Sequence, residues 1–259
     1  MRVARWGCLV LVLAVVLGGV TWLVLALRKP PPPSCAAGSY SLSPEQAQNA
    51  ATIAGVGIRV GMPAHAVTVA LATALQESKL QNLTGGDRDS AGLFQQRPSQ
   101  GWGTYEEVTD PVHAATAFYQ RLKALPGWAQ LPVTEAAQEV QHSGAPDAYA
   151  QWEDEARALA SALTGLTPGA FTCRNLVPDA PKADLVTVAD TELGRASFTG
   201  SHDSGSGWAL ATWLVANATR FGVDTVTFNG QQWTADSGKW SPSGTADGRL
   251  TLHQRSAEG

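Results

Sequence analysis

Positions 7–27 are an apolar run without one charged side chain. A helix needs about 20 such residues to cross the hydrocarbon core of a bilayer. Residues 1–29 are therefore expected to stand apart from the globular chain as a transmembrane signal-anchor, with Trp6 and Trp22 suited to its interfaces. The run is long for the apolar region of a cleaved signal peptide, which is the competing reading. Arg2 and Arg5 before it are nearly balanced by Arg28 and Lys29 after it, so flanking charge orients it weakly. Either reading leaves the bulk of the chain outside the cytoplasm. The expected location is the cytoplasmic membrane, single-pass.

Of the three cysteines, Cys8 lies inside the run, while Cys35 and Cys173 flank a long middle region. Outside the cytoplasm such a pair is expected to oxidise. A bridge would close a loop of over ~100 residues, worth up to about 4–5 kcal/mol in the chain-entropy picture. Two free buried thiols are the alternative. Residues 30–34 are a proline-rich spacer, extended by polyproline geometry. The whole chain is 44% hydrophobic and 15% charged, so most of it is expected to fold. The net charge of −4 argues against a nucleic-acid partner.

From position 43 the periodicity is helical. Ser43-Pro44-Glu45-Gln46 carries a capping box, and Gly61 stops the helix that follows. Pro63 opens a second helix with Val67, Ala70 and Ala74 on an apolar face, ending in Leu75-Gln76-Glu77-Ser78. A loop rich in glycine and aspartate covers 82–90. Asp110-Pro111 starts another helix, Thr134 is expected to cap a short one, and Pro146-Asp147 opens the last, with Gly165 beyond it. Residues 35–166 thus read as one mainly α domain. Three prolines in 167–184 suggest a linker. Residues 185–259 read as a small α+β module: a strand at 185–188, a helix at 208–221, a hairpin around Asn229-Gly230 and a strand at 249–253.

The chemistry concentrates in residues 72–103, ATALQESKLQNLTGGDRDSAGLFQQRPSQGWG. Glu77 and Ser78 close an apolar helix, and Ser90-Ala91-Gly92-Leu93-Phe94-Gln95 follows after the loop. A carboxyl at a helix C-terminus meets the negative end of the macrodipole, so its ionised form is disfavoured. Partial burial would add to that and keep it protonated near neutral pH, as a glycosidase acid requires. The bland reading of Glu77 is a surface glutamate at a helix end.

These two segments, in this order, resemble the signature of lytic transglycosylases and goose-type lysozymes. The resemblance covers roughly residues 40–165 and implies a lysozyme-like fold with Glu77 as catalytic acid. It further implies that Ser78 orients the glutamate or binds substrate, and that Gln95 contacts sugar from the opposite wall. Trp102 could stack on a sugar ring or simply fill a core. Gly86-Asp87-Arg88 matches a stretch of goose-type lysozymes that holds a second carboxylate, so Asp87 and Asp89 are candidates for activating water. A turn role is the alternative for both. The sequence departs from the transglycosylase pattern in a later helix. Where an Ala-Tyr-Asn-Ala-Gly-like segment would bring a tyrosine to the acid, this chain has Val140-Gln141-His142-Ser143-Gly144. Gln141 or His142 could substitute, and Tyr149 lies a few residues on.

The chain also resembles a group of membrane-anchored bacterial proteins sharing the ALQES, GDRDS and GLFQQRPSQGWG segments. The stretch from Gly207-Trp208-Ala209 to Gly222, with Val226 to Trp233 after it, resembles a small domain appended to actinobacterial cell-wall hydrolases, which implies a packing or wall-targeting module. Ser201-His202-Asp203-Ser204-Gly205 matches a zinc peptidase motif poorly, and no metal or cofactor is expected. The expected activity is extracytoplasmic cleavage of peptidoglycan glycan strands, by transglycosylation or hydrolysis. The alternatives are a non-catalytic peptidoglycan-binding protein on the same fold and a structural partner in envelope assembly.

Overall fold

In the computed structural model the described residues are 31–194 and 197–256. The expected membrane span at 1–29 falls outside them. No helix among the described residues is long and apolar enough to cross a membrane.

The chain enters through β1 (Ser34–Ala37), so Ser34 belongs to a strand and not to the spacer. It turns into β2 (Tyr40–Leu42) and reaches α1 (Pro44–Arg59). The capping box is present: Gln46 N–H donates to the Ser43 hydroxyl, and Ser43 N–H donates to the Gln46 side chain. Then comes α2 (Ala64–Ser78), in which Ala66 to Leu75 are buried without interruption. A helix buried on every side is a core helix, not an amphipathic surface one. Ala, Val and Thr make that possible by letting neighbours approach closely. Its core hydroxyls are satisfied within the helix, Thr68 and Thr73 donating to the carbonyls of Ala64 and Val69. Around it pack α1, α4 (Pro111–Ala124), α5 (Val133–Gln141) and α6 (Glu153–Leu163). A short α3 (Tyr105–Thr109) precedes α4, and 3-10 turns cover Pro98–Gln100, Trp128–Gln130 and Pro146–Trp152.

The expected cap of α5 is displaced. Pro132 holds the cap position, and the Thr134 hydroxyl donates instead to Pro146 O at 3.2 Å. That bond fixes the start of the Pro146–Trp152 turn, a tertiary demand that local pattern cannot reveal.

Residues 167–184 are not a plain linker. They contain β3 (Phe171–Arg174), which pairs antiparallel with β1 so that Cys173 faces Cys35. The two cysteines are bonded, closing a separation of 138 residues. The segment 185–188 is helical, not a strand. It opens α7 (Leu185–Glu192), and the Asp184 carboxylate caps it by accepting Thr187 N–H at 2.8 Å. Leu-Val-Thr-Val alternates like a strand, but the N-cap and the packing of α7 on α1 at Gly55 decide the outcome.

The chain continues through α8 (Ser204–Ala216) and α9 (Ala218–Phe221) into β4 (Val223–Phe228), β5 (Gln231–Thr234), β6 (Ser241–Pro242) and β7 (Leu250–Gln254). These four strands form an antiparallel sheet in the order β6-β5-β4-β7. Asn229 and Gly230 both have positive φ, as the β4–β5 hairpin requires. Trp208 of α8 packs edge-on against Phe228 and Trp240.

This sheet is stitched to the helical part. Trp233 and Trp240 donate to the carbonyls of Cys173 and Phe171, each at 2.9 Å. Gln48 of α1 reaches Thr219 at 3.1 Å. Residues Pro33–Gly259 accordingly form one compact unit. At the junction Glu192 is only 2% exposed and accepts from Trp213 Nε1 at 2.9 Å and Arg220 Nη1 at 2.8 Å. Removing one partner of a buried ion pair strands the other. Glu192→Ala should therefore lower unfolding stability by about 3 kcal/mol. A urea titration should show this as one transition for the whole unit, because the pair lies under α1 and not in a detached module.

Candidate active site

The site is built on the C-terminal end of α2. Lys79 and Leu80 both adopt left-handed φ, 56° and 58°, and reverse the chain. Their N–H groups return to Leu75 O and Ala74 O, which closes the helix end. Two consecutive non-glycine residues in that region carry strain that the surrounding core must hold. Glu77 sits one residue inside this end and is half-buried. Burial pushes its pKa up, against the hydrogen bonds of Tyr149 and Gln141 and the charge of Lys79. Tyr149 is fully buried, and its hydroxyl donates to Glu77 Oε1 at 2.8 Å. Burial and the Glu77 charge raise the Tyr149 pKa, so the phenol keeps its proton. Lys79 lies with Nζ 3.9 Å from the Trp152 ring centroid.

The facing wall is the tight turn at 91–96, where Ala91 and Gln96 exchange N–H···O bonds at 3.1 Å. Gly92 is required there, since a Cβ would lie 1.9 Å from Val108 O. Two side chains flanking the acid bind two consecutive carbonyls of this turn. The Ser78 hydroxyl donates to Leu93 O at 2.7 Å, and Gln141 Nε2 donates to Phe94 O at 2.8 Å. The 3-10 turn and α5 thus bring Tyr149 and Gln141 to Glu77 from over 60 positions away in sequence.

A cleft of about 320 Å³ opens here. Glu77, Asp87, Gln95 and Trp102 line it, together with Gln141 and His142. The Gln95 side chain folds onto its own loop, accepting from Ser90 Oγ at 3.0 Å and donating to Gly92 O at 3.2 Å. Gly86 leaves room for it: a Cβ there would lie 1.7 Å from Gln95 Oε1. Trp102 is 6% exposed, and the Arg121 guanidinium covers its ring at 3.5 Å. Asp87 stands on the rim with a side chain 90% exposed.

Two expected site residues lie off the cleft wall. Ser78 is buried and serves as the strut just described. Asp89 is turned into the loop. It accepts from Arg97 Nε at 2.9 Å, from Ser99 N at 2.8 Å and from Ser99 Oγ at 3.0 Å. The Ser99 N–H, with Arg97, holds its pKa well below the ordinary carboxylate value. Among the described residues no cluster of three or more His, Cys, Asp or Glu side chains is arranged to hold a metal ion. In the C-terminal part, Asp203 caps α8 by accepting Ser206 N–H at 3.0 Å.

Tyr149 was not among the expected site residues. Its only sequence signal was its place a few residues after Val140-Gln141-His142-Ser143-Gly144. A protein-family model described as "VldE, C-terminal domain" matches residues 187–253. That match spans most of α7 through β7 and leaves the Glu77 cleft outside it. No curated protein matches the chain.

Asp89 has a folded-state pKa below its ordinary value of 3.8. Its stabilising contribution is therefore complete above that value and disappears as pH falls through the depressed one. Asp89→Asn should be less stable than the parent by a margin constant above about pH 5 and shrinking to nothing in strong acid. Thermal melts of both proteins across the acid range read this directly. A margin that persists in strong acid would assign the loss to something other than the carboxylate.

Proposed function

We propose that this chain cuts the β-1,4 glycosidic bonds of peptidoglycan, on a lysozyme-like fold held outside the cytoplasmic membrane by its N-terminal apolar run. One observation carries the reading: a half-buried glutamic acid with a raised pKa opens onto a polar cleft and accepts a hydrogen bond from a buried tyrosine. The family pattern pairs a tyrosine with its acid, and Tyr149 supplies that contact from a different position. The Cys35–Cys173 bond fits an oxidising compartment.

In this reading neutral Glu77 gives its proton to the glycosidic oxygen as the bond to C1 breaks. The carboxylate left behind is held by the Tyr149 hydroxyl. It then takes the proton of the muramyl 6-hydroxyl as that oxygen bonds to C1, yielding a 1,6-anhydro end. One carboxyl suffices for both steps. This is the preferred course because Asp89 is committed to Arg97 and Ser99. Asp87, on the cleft rim, is the base that a hydrolytic course would use to activate water.

Glu77→Gln should lower glycan cleavage about 1,000-fold, within the usual range for loss of a general acid. Tyr149→Phe removes one hydrogen bond to a charged group and should cost about 10- to 100-fold. That bond favours the ionised carboxyl, so its loss raises the Glu77 pKa. Activity that depends on the protonated acid fails as pH rises through that pKa, so the alkaline limb of the pH–rate profile should move upward. Mass spectrometry of products from purified peptidoglycan decides the course. Anhydromuropeptides support transglycosylation, and reducing ends point to Asp87. Retention on peptidoglycan without cleavage leaves the binding-protein reading.

A further inference from the structure

The Pro146–Trp152 turn that carries Tyr149 has seven residues of 3-10 backbone. Runs of that geometry beyond about 3–4 residues are uncommon, because their hydrogen bonds are poorly aligned. Such a turn needs outside support, and it is fastened at both ends. At its start the Thr134 hydroxyl of α5 donates to Pro146 O at 3.2 Å. At its end Trp152 Nε1 donates to Gln76 Oε1 at 2.8 Å, and Gln151 Nε2 reaches the same oxygen at 3.2 Å. Gln76 is the residue before Glu77 on α2. An indole N–H can only donate, so the Gln76 amide must turn its oxygen toward Trp152. Lys79 lies over the face of the same indole while its Nζ donates to Leu75 O at 3.1 Å. Trp152 is thus held at its edge and at its face by residues on either side of Glu77 in sequence.

We propose that Trp152 is a positioning residue for Tyr149: its bond to Gln76 fixes the end of the Pro146–Trp152 turn against α2 and so keeps the Tyr149 hydroxyl on the Glu77 carboxyl. Tyr149 sits midway along the turn, fully buried, with its hydroxyl 2.8 Å from Glu77 Oε1. Without the indole N–H the turn keeps its Thr134 end and the longer bond from Gln151, which is exposed. A hydrogen bond weakens steeply as its angle departs from the straight, so a small shift of the turn weakens the contact with Glu77. Trp152 is not among the residues that line the cleft, so it acts through the tyrosine and not on a ligand.

The inference rests on Glu77 being the reactive group, whereas its first test reads only the state of the carboxyl. The titratable and charged groups that face Glu77 are Lys79 on α2, Tyr149 on the turn, and Asp87, Arg97 and His142 around the cleft. Glu155 of α6 acts on Lys79. Trp152→Phe changes none of these charges and keeps an aromatic ring beneath Lys79. Its main loss is the N–H donor.

The Glu77 carboxyl can be titrated by NMR in the full-length protein labelled with carbon-13 at glutamate, its signal assigned by loss in Glu77→Gln. The bond from Tyr149 favours the ionised carboxyl, so Tyr149→Phe should raise the midpoint by about one pH unit. Trp152→Phe should raise it by about half as much, and should add nothing in the Tyr149→Phe background, because the two residues act as one unit. Gln76→Met removes the acceptor from both Trp152 and Gln151. It should reproduce that pattern, and it serves if Trp152→Phe does not fold. A midpoint unmoved by Trp152→Phe and Gln76→Met, or moved equally with and without the Tyr149 hydroxyl, would overturn the assignment. On peptidoglycan, Trp152→Phe should lower kcat about threefold with KM little changed, again only while that hydroxyl is present. Absence of cleavage by the parent protein, with the titration pattern intact, would count against the glycan-cleaving function and leave the placement of Tyr149 standing.

Discussion

The architecture depends on α2 being buried on all sides. A helix of alanine, valine, threonine and leucine offers little side-chain bulk, so four other helices close around it at short range. Apolar burial supplies the free energy, and the Thr68 and Thr73 hydroxyls are satisfied by bonding one turn back. A rod held this firmly is a rigid mount for whatever stands at its end. Glu77 and Ser78 stand there, and the strained reversal at Lys79 and Leu80 is tolerated because the core over-determines it.

Electrostatics at the end of this rod balance two opposing demands. Burial, and the negative end of the helix dipole, favour the neutral acid. Tyr149, Gln141 and Lys79 favour the carboxylate. Burial outweighs the opposing contacts without removing them, so the pKa is raised on balance. The tyrosine remains a donor because the same burial raises its own pKa. The loop across the cleft depends on similar commitments: Asp89 to Arg97 and Ser99, Gln95 to Ser90 and Gly92, Trp102 to Arg121. Those bonds give the wall its shape and reduce how many of its side chains remain free to meet a ligand.

Much of the fold was legible in the sequence. The capping box at Ser43, the Asp110-Pro111 start, the Asn229-Gly230 turn and the glycine stops at 61, 165 and 222 are local signals, and the elements appear where those signals put them. The cysteine pair was legible too, because only compartment and position were needed to suggest it. The misread segments share a cause. Leu185 to Val188 alternates like a strand, yet a distant helix and one capping aspartate make it helical. The strand at Phe171–Arg174 hides among prolines, because its partner is β1 at the other end of the chain.

The sequence by itself determined that Glu77 would end an apolar helix and that a glycine-bounded turn would follow, since both rest on residue spacing within a few turns of chain. Only the tertiary structure decided which groups hold that carboxyl. Tyr149 reaches it because the Pro146–Trp152 turn packs on α2, and packing between elements has no fixed sequence separation. The same fact turned Ser78 and Asp89, neighbours of the acid in sequence, into struts of the fold: a hydrogen bond is set by where side chains meet in space, and theirs meet backbone and loop instead of the cleft.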